Sequence, residues 1–176
     1  SQSRTPPLTM DFRHDILPLK DKLYRLSLRI TLNHQEAEDI VQDTLIKLWN
    51  KRESWEEIES IEAFAMTICR NISLDHIRLH DNQTATLEAA AIDRPDRALN
   101  PLEQMQQKDN LERVRQLVDS LPEKQRSCMQ LRDFEGMSYK EISQVLGISE
   151  EQVKISIFRA RKTVKEAFEE QNNFGI

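Results

Sequence analysis

Two helix-start signals flank one glycine near the end of the chain, and this arrangement constrains the fold more than any other feature. Ser138 is followed three residues later by Glu141, and Ser149 is followed three residues later by Gln152. Each pair fits the capping box, in which the serine and the longer polar side chain satisfy each other's backbone amides. Gly147 lies between the pairs, where a chain can turn sharply. The pattern predicts two short helices joined by a turn, which is either a plain helical hairpin or a DNA-binding helix-turn-helix.

The remainder of the sequence also favours helices over strands. The whole chain of 176 residues has only three glycines, and strong strand formers do not alternate with polar residues. Asn33 and Glu36 form another capping-box pattern, and apolar residues follow it at helical spacing. The stretch IEAFAMTICRNISLDHIRLH has no glycine or proline to interrupt a helix. With 38% hydrophobic and 31% charged residues, the sequence predicts an all-α protein with small cores.

An irregular stretch divides the predicted helices into two groups. The segment DNQTATLEAAAIDRPDRAL is small and polar, and Pro95 would break a helix there. Asn100, followed by Pro101, restarts a helical pattern. We therefore expect two small helical domains joined by a flexible linker. The predicted boundaries are a disordered leader at 1–10, a first domain at 11–82, a linker at 83–99, a second domain at 100–170 and a tail at 171–176.

The last predicted helix has an apolar face and, opposite it, a cationic face that also carries two apolar residues. At about 100° per residue, one side collects the core positions Val153, Ile157, Ala160, Val164 and Phe168. The opposite side carries Ile155, Phe158, Arg159 and Lys162, with Lys154 and Lys165 beside them. The net charge of the chain is -5, so nucleic-acid binding through bulk charge is disfavoured and a local patch remains open. Base contacts, protein docking and a solvated face are three possible roles, and the second helix of a helix-turn-helix favours the first.

The residues that follow Ser120 resemble a known family. The stretch LPEKQRSCMQLRDFEGMSYKEISQVLGISEEQVKISIFRARKTVKEAF resembles region 4 of bacterial sigma factors. These proteins direct RNA polymerase to promoters. The resemblance implies a contact with the β flap of the polymerase and a final helix that reads the minus-thirty-five element. Ser156 stands where many relatives carry arginine. The implied DNA-facing residues are Lys154, Ile155, Ser156, Phe158, Arg159, Arg161, Lys162 and Lys165.

The first domain carries a polar helix face with an embedded isoleucine. In isolation, this face is best interpreted as solvated and acidic. However, AEDIVQDTLIKLWN resembles sigma region 2.2, which docks on the β′ clamp helices of the polymerase. The resemblance implies that this face binds the polymerase core. The residues concerned are Asp39, Gln42, Asp43, Ile46 and Trp49.

The following helix resembles sigma regions 2.3 and 2.4, which open the minus-ten element. Phe64, Arg70, Asn71, Asp75 and Arg78 match the pattern typical of the extracytoplasmic-function branch. Ala65 and Met66 replace the usual Trp-Leu, and Leu79 replaces an arginine. Trp55 precedes the helix and is interpreted either as a base-stacking residue or as part of the core. The implied minus-ten DNA residues are Trp55, Phe64, Thr67, Arg70, Asn71 and Arg78.

The predicted function is therefore that of a sigma factor of the extracytoplasmic-function branch, with regions 2 and 4 only. Its expected partners are RNA polymerase core, promoter DNA and an anti-sigma protein, and we expect a cytoplasmic monomer when it is free. The alternatives are a conventional helix-turn-helix regulator whose first domain senses or dimerises, and a helical adaptor that binds only protein. We expect no catalytic activity, cofactor or membrane insertion. Cys69, His76 and His80 share a helical stripe, but a zinc site needs a fourth ligand, and a packed thiol is the better interpretation.

Overall fold

The first half of the fold is a bundle of three helices that contact one another. The structure, a computed structural model, describes residues 12–86 and 110–174. A π-helical turn, Phe12–Ile16, and a 3-10 turn, Leu17–Leu19, lead into α1, Lys20–Thr31. Helix α2 is His34–Asn50, and a 3-10 segment, Arg52–Glu57, separates it from α3, Ile61–Thr86. Each of the three helices packs against the other two.

The turn between α1 and α2 depends on two residues. Leu32 adopts a left-handed backbone with φ of 57°, and its amide donates to the Leu28 carbonyl. Asn33 then caps α2, because its side chain accepts from the amides of Gln35 and Glu36, each at 3.0 Å. The cap at Asn33 is confirmed. The left-handed Leu32 has no signal in the sequence, because glycine or asparagine is usual in that conformation.

The second half contains the predicted pair of short helices. Its elements are α4, Asn110–Asp119, α5, Glu123–Met129, a π-helical turn, Gln130–Phe134, α6, Tyr139–Leu146, and α7, Glu150–Phe174. Helices α4, α5 and α6 all pack against α7. Among the residues that the structure describes there is no strand, so the predicted all-α class is confirmed.

The turn between α6 and α7 has the predicted chemistry. Ser138 accepts from the Glu141 amide at 3.1 Å. Ser149 accepts from the Gln152 amide at 3.1 Å, and the Gln152 side chain accepts from the Ser149 amide at 3.2 Å. Gly147 ends α6 with φ of 67° and donates to the Ser143 carbonyl at 2.9 Å. The Ser138 cap thus begins α6 and the reciprocal capping box of Ser149 and Gln152 begins α7, so the pair forms a helix-turn-helix.

The helices extend slightly beyond some predicted boundaries. Helix α3 continues to Thr86, so residues 83–86 of the predicted linker are helical. Helix α7 continues to Phe174 and thus into the predicted tail. The predicted leader, the rest of the predicted linker and the cap at Asn100 lie outside the described residues. No helix in the two described segments is long and apolar enough to cross a membrane.

One apolar cluster runs through both halves of the fold. Leu23 and Met66 from the first half and Leu131, Ile142 and Ile157 from the second half belong to the same buried cluster. The predicted core face of α7 is buried at Val153, Ile157, Ala160 and Val164, and Phe168 is half-buried. A smaller cluster joins α4, α5 and α7 at Val118, Leu121, Met129, Ala160 and Val164. The two halves thus pack against each other around a shared core.

Candidate nucleic-acid interface

Helix α7 presents an exposed face with the predicted mixture of apolar and cationic side chains. Phe158 is 68% exposed and Ile155 is 43% exposed, although both are large apolar residues. Lys154, Arg159, Lys162 and Lys165 are exposed as well. The opposite side of the same helix is buried in the core, so α7 has one packed face and one face open to a partner. A surface of this kind offers apolar contact and cationic donors together, as base edges and phosphates require.

Two residues on the predicted DNA-facing set are placed differently. Ser156 is buried, only 9% exposed, and its side chain lies at the Cys128 thiol. It therefore does not face outward with Ile155 and Phe158. Arg161 is exposed, but its guanidinium donates twice to the Asp133 carboxylate, with Nε 3.0 Å from Oδ2. This hydrogen-bonded pairing raises the pKa of Arg161.

Tyr139 supports the cationic face from the start of α6. The Lys154 ammonium lies 5.5 Å from the centre of the Tyr139 ring, and the Arg132 guanidinium lies 4.3 Å from it. Both distances are within the range of a cation–π interaction. Sequence reasoning did not single out Tyr139, because its partners come from two other elements.

The polar face of α2 is exposed along its whole length. Asp39, Gln42 and Asp43 are exposed, and Ile46 and Trp49 are 58% and 46% exposed. The Arg52 guanidinium lies 4.6 Å from the centre of the Trp49 ring, and Trp55 meets Trp49 edge-on at 6.4 Å. The predicted residues therefore form one continuous surface, with two large apolar side chains at one end.

Trp55 lies in the core of the first half. It is 5% exposed, and its indole Nε1 donates to the Leu48 carbonyl at 3.0 Å. Of its two predicted roles, the structure shows the core position, and no face of the ring is available for stacking with a base. The sequence left both roles open because a tryptophan in a short connection fits either.

The other predicted minus-ten residues follow α3. Phe64 and Thr67 are half-buried, and the Thr67 hydroxyl donates to the Ala63 carbonyl at 2.7 Å. Asn71 is exposed and lines a groove between α2 and α3. Arg78 is exposed, and its guanidinium is 3.7 Å from the Asp75 carboxylate. The groove is lined by Lys47, Asn50, Lys51, Ile68, Asn71, Ile72 and Asp75.

Arg70 is held by a residue that sequence reasoning missed. Its Nε and Nη2 donate to the two oxygens of Glu123, at 3.1 Å and 3.0 Å. Glu123 is in the second half, at the start of α5. No local pattern indicates this pair, because the two residues are 53 positions apart in the sequence.

The two cysteines are buried thiols within separate helices. Both are free and fully buried. Burial raises the pKa of Cys69 to about 12 and that of Cys128 to about 11. Among the described residues, no group of three histidine, cysteine, aspartate or glutamate side chains is placed to hold a metal ion.

Comparisons with known proteins agree with this arrangement. Family models of sigma-70 region 2 and sigma-70 region 4 match residues 16–83 and 111–164. RNA polymerase sigma-H factor of Pseudomonas aeruginosa is 30% identical over 165 residues, which cover 88% of this chain and 86% of that protein. ECF RNA polymerase sigma factor SigF of Caulobacter vibrioides is 33% identical over 136 residues, which cover 74% of this chain and 70% of that protein.

A solved structure shows the same fold in both halves. The sigma factor RpoE of Bartonella quintana, in complex with the anti-sigma factor NepR, superposes with a TM-score of 0.74 at 26% identity. The match covers 89% of this chain and 95% of that one. The helical bundle, the helix-turn-helix and these matches together show that the chain belongs to the sigma-70 family. Within that family it is an ECF sigma factor, a protein that directs transcription initiation by RNA polymerase.

Proposed function

We propose that this sigma factor reads its promoter mainly through the exposed face of α7. The observation that carries the proposal is Phe158, which is 68% exposed on the second helix of a helix-turn-helix and lies among cations. Exposure of a phenylalanine costs free energy unless a partner covers it. A thymine methyl group or an unstacked base edge is such a partner. The surrounding Lys162 and Lys165 supply phosphate contacts at the minus-thirty-five element.

The polar face of α2 is proposed as the surface that binds core polymerase. Asp39, Gln42 and Asp43 are exposed beside Ile46 and Trp49, so acidic and apolar groups are available together. An interface commonly combines a central apolar anchor with a polar rim. On α2 the exposed apolar side chains Ile46 and Trp49 lie at one end of the polar row, and the β′ clamp helices are the proposed partner. The β flap is proposed as a second contact, made by the second half.

The groove between α2 and α3 is proposed to bind the melted minus-ten strand. Asn71 provides a hydrogen-bonding amide at the groove, and Lys47 and Lys51 provide cations for phosphates. Arg70 and Arg78 extend this surface along α3. Trp55 is not included, because its ring is buried under α2.

An anti-sigma protein is proposed as a further partner, and the cytoplasm as the compartment. The matched RpoE structure contains an anti-sigma factor, and its likeness to this chain spans both halves. Both of the halves that match RpoE are present in this chain, so an anti-sigma protein has the same two helical domains to bind. A sigma factor acts on RNA polymerase, which supports the cytoplasmic assignment. The sigma-70 family is not a family of enzymes.

The proposed function is tested by transcription with purified core polymerase that lacks any other sigma factor. The template is fragmented genomic DNA from the source bacterium, and the starts of the transcripts are mapped. We expect starts that depend on the added chain and share an upstream element. Asp43→Arg should weaken binding to core by about tenfold or more. Lys20→Glu, a charge change at an exposed position of α1, should not weaken it. Transcripts that do not depend on the chain would point to a conventional regulator instead.

A further inference from the structure

The groove between α2 and α3 continues along α3 as a stripe that leads to an exposed leucine. At about 100° per residue, Ile68, Ile72 and Leu79 lie within an arc of about 40° on this helix. Ile68 and Ile72 line the groove. Leu79 lies about two turns beyond Ile72, on the same side of α3. The line of the groove therefore ends at a large apolar side chain.

Burial decreases along this stripe. Ile72 is 8% exposed, whereas Leu79 is 61% exposed. The His80 imidazole lies 3.3 Å from the Glu36 carboxylate, so the next side chain along α3 is directed to the first turn of α2. Leu79 is directed away from that contact, because consecutive residues of a helix differ by about 100°. Its side chain is thus open to a partner in line with the groove.

Cations flank the same stripe. Lys47 and Lys51 line the groove near the end of α2. Asp75 also lines the groove, and its carboxylate lies 3.7 Å from the Arg78 guanidinium, with side chains 68% and 74% exposed. An ion pair this exposed contributes little to stability, so Arg78 can exchange Asp75 for a phosphate group at small cost. The surroundings of Leu79 therefore suit a polyanion.

Leu79 differs from these charged side chains in what it can recognise. A single exposed leucine is common on protein surfaces and is no evidence of a site by itself. Here, however, it continues the proposed DNA-binding groove and lies beside groups that bind phosphates. The group of DNA that matches an apolar side chain is the C5 methyl of thymine. Since an arginine is usual at this position in the family pattern, a leucine should give this chain a preference of its own.

We propose that Leu79 is a specificity-determining residue, which contacts the methyl group of one thymine at the edge of the minus-ten element. The inference rests on the proposed function, because it extends the proposed minus-ten surface. Leu79 lies eight residues beyond Asn71, which is about 12 Å along a helix. The thymine is therefore expected about three or four base steps from the base that Asn71 contacts, since base steps are about 3.4 Å apart. Arg78 binds the backbone beside it.

The test uses holoenzyme, made from the full chain and core polymerase, on a promoter found by mapping transcript starts. Each thymine of the minus-ten region is replaced in turn by deoxyuridine, which removes only the C5 methyl group. The readouts are the apparent Kd of the promoter complex and the yield of transcripts. The variants are Leu79→Ala, which keeps a good helix former at an exposed position, and Leu17→Ala, a matched control at an exposed leucine before α1.

We expect one deoxyuridine to weaken the promoter complexes of the parent and of Leu17→Ala about three- to fivefold, because one buried methyl group is lost. Leu79→Ala should bind the thymine promoter about three- to tenfold more weakly than the parent. At that one position it should not distinguish thymine from deoxyuridine. Its response to deoxyuridine in the minus-thirty-five element should remain that of the parent.

A parent holoenzyme that binds every deoxyuridine promoter as tightly as the thymine promoter overturns the inference. A methyl effect that persists in Leu79→Ala overturns it as well. Weaker binding of Leu79→Ala to core polymerase without DNA, together with no methyl effect, also overturns it and assigns Leu79 to a protein contact. None of these results affects the proposed function, since initiation on the thymine promoter tests it separately. A parent chain that gives no initiation on any promoter overturns the proposed function, and this inference with it.

Discussion

Phe158 and Ser156 are two residues apart on α7 but lie in opposite environments, since Phe158 is 68% exposed and Ser156 is 9% exposed. Phe158 lies opposite the buried side of α7, and its exposure follows from its angular position on the helix. Ser156 lies about 60° from Val153 at 100° per residue, which is beside the core. Its burial depends on Cys128 of α5, a contact that no repeat within α7 can indicate. The resemblance to relatives with arginine at this position did not indicate it either.

The cationic face of α7 should contain two kinds of DNA contact. Phe158→Ala or Arg159→Ala should cost about 1–3 kcal/mol of binding at the preferred upstream element and relax the sequence preference. Lys162→Ala should weaken binding to all sequences about equally and lower the salt slope by about one unit. The measurement is a salt titration of holoenzyme on matched and scrambled upstream elements. An unchanged sequence preference in both Phe158→Ala and Arg159→Ala would favour protein docking at this face.

Cys69 should make the free energy of unfolding depend on pH in alkaline solution. Burial raises its pKa from 9.0 to about 12 in the folded chain. The folded thiol therefore keeps its proton between these values, whereas the unfolded thiol loses it. Its contribution to stability is complete below pH 9 and falls as the pH rises towards 12, by about 1 kcal/mol between pH 8 and pH 10.

The measurement for Cys69 is urea unfolding of the parent and of Cys69→Ala at pH 8 and pH 10. Other titrating groups contribute to both proteins and cancel in the comparison. We expect Cys69→Ala to be less stable at pH 8, because it leaves a small cavity, and to lose less stability on going to pH 10. An equal loss in both proteins would show that Cys69 ionises as easily in the folded chain as in the unfolded one.

At the scale of helices, caps can be predicted from sequence because their partners are only a few residues apart. Asn33, Ser138 and Ser149 all cap the helices that they were expected to cap. The π-helical turn Gln130–Phe134 was not predicted, because no residue pattern there differs from that of an α-helix. The same limit applies to Leu32, because a left-handed backbone is unusual for leucine and no neighbouring residue signals it.

Gly147 should be replaceable only at a cost in backbone strain. Its φ of 67° lies in the left-handed region, and an added Cβ would meet nothing within 4 Å. Gly147→Ala should therefore destabilise the fold by about 1 kcal/mol through backbone conformation alone. Gly147→Asn should cost less, because asparagine adopts this conformation more readily. Chemical denaturation measures both, and equal losses in the two variants would indicate a steric cause.

At the scale of the whole molecule, the contact between the halves could not be predicted from sequence. Arg70 and Glu123 are 53 positions apart, and Arg25 and Glu135 are 110 positions apart. The charges themselves are visible in the sequence, but a charged residue on a helix usually faces solvent. Domain identity follows from local patterns, whereas the way in which two domains meet depends on pairs of surfaces that no local pattern describes.

The shared apolar cluster should make the two halves unfold together. Leu131 is fully buried in this cluster, and its π-helical turn contacts α1. Leu131→Ala should lower the free energy of unfolding by about 2–5 kcal/mol.

Both tryptophans of the chain, Trp49 and Trp55, are in the first half, so their fluorescence monitors that half alone. We expect Leu131→Ala to lower the urea midpoint by tryptophan fluorescence as much as by far-UV circular dichroism. Val164→Ala, in the smaller cluster of the second half, should also lower both midpoints equally, by less than Leu131→Ala because it removes fewer buried atoms. A fluorescence midpoint that stays at the parental value while the dichroism midpoint falls would mean that the halves unfold independently.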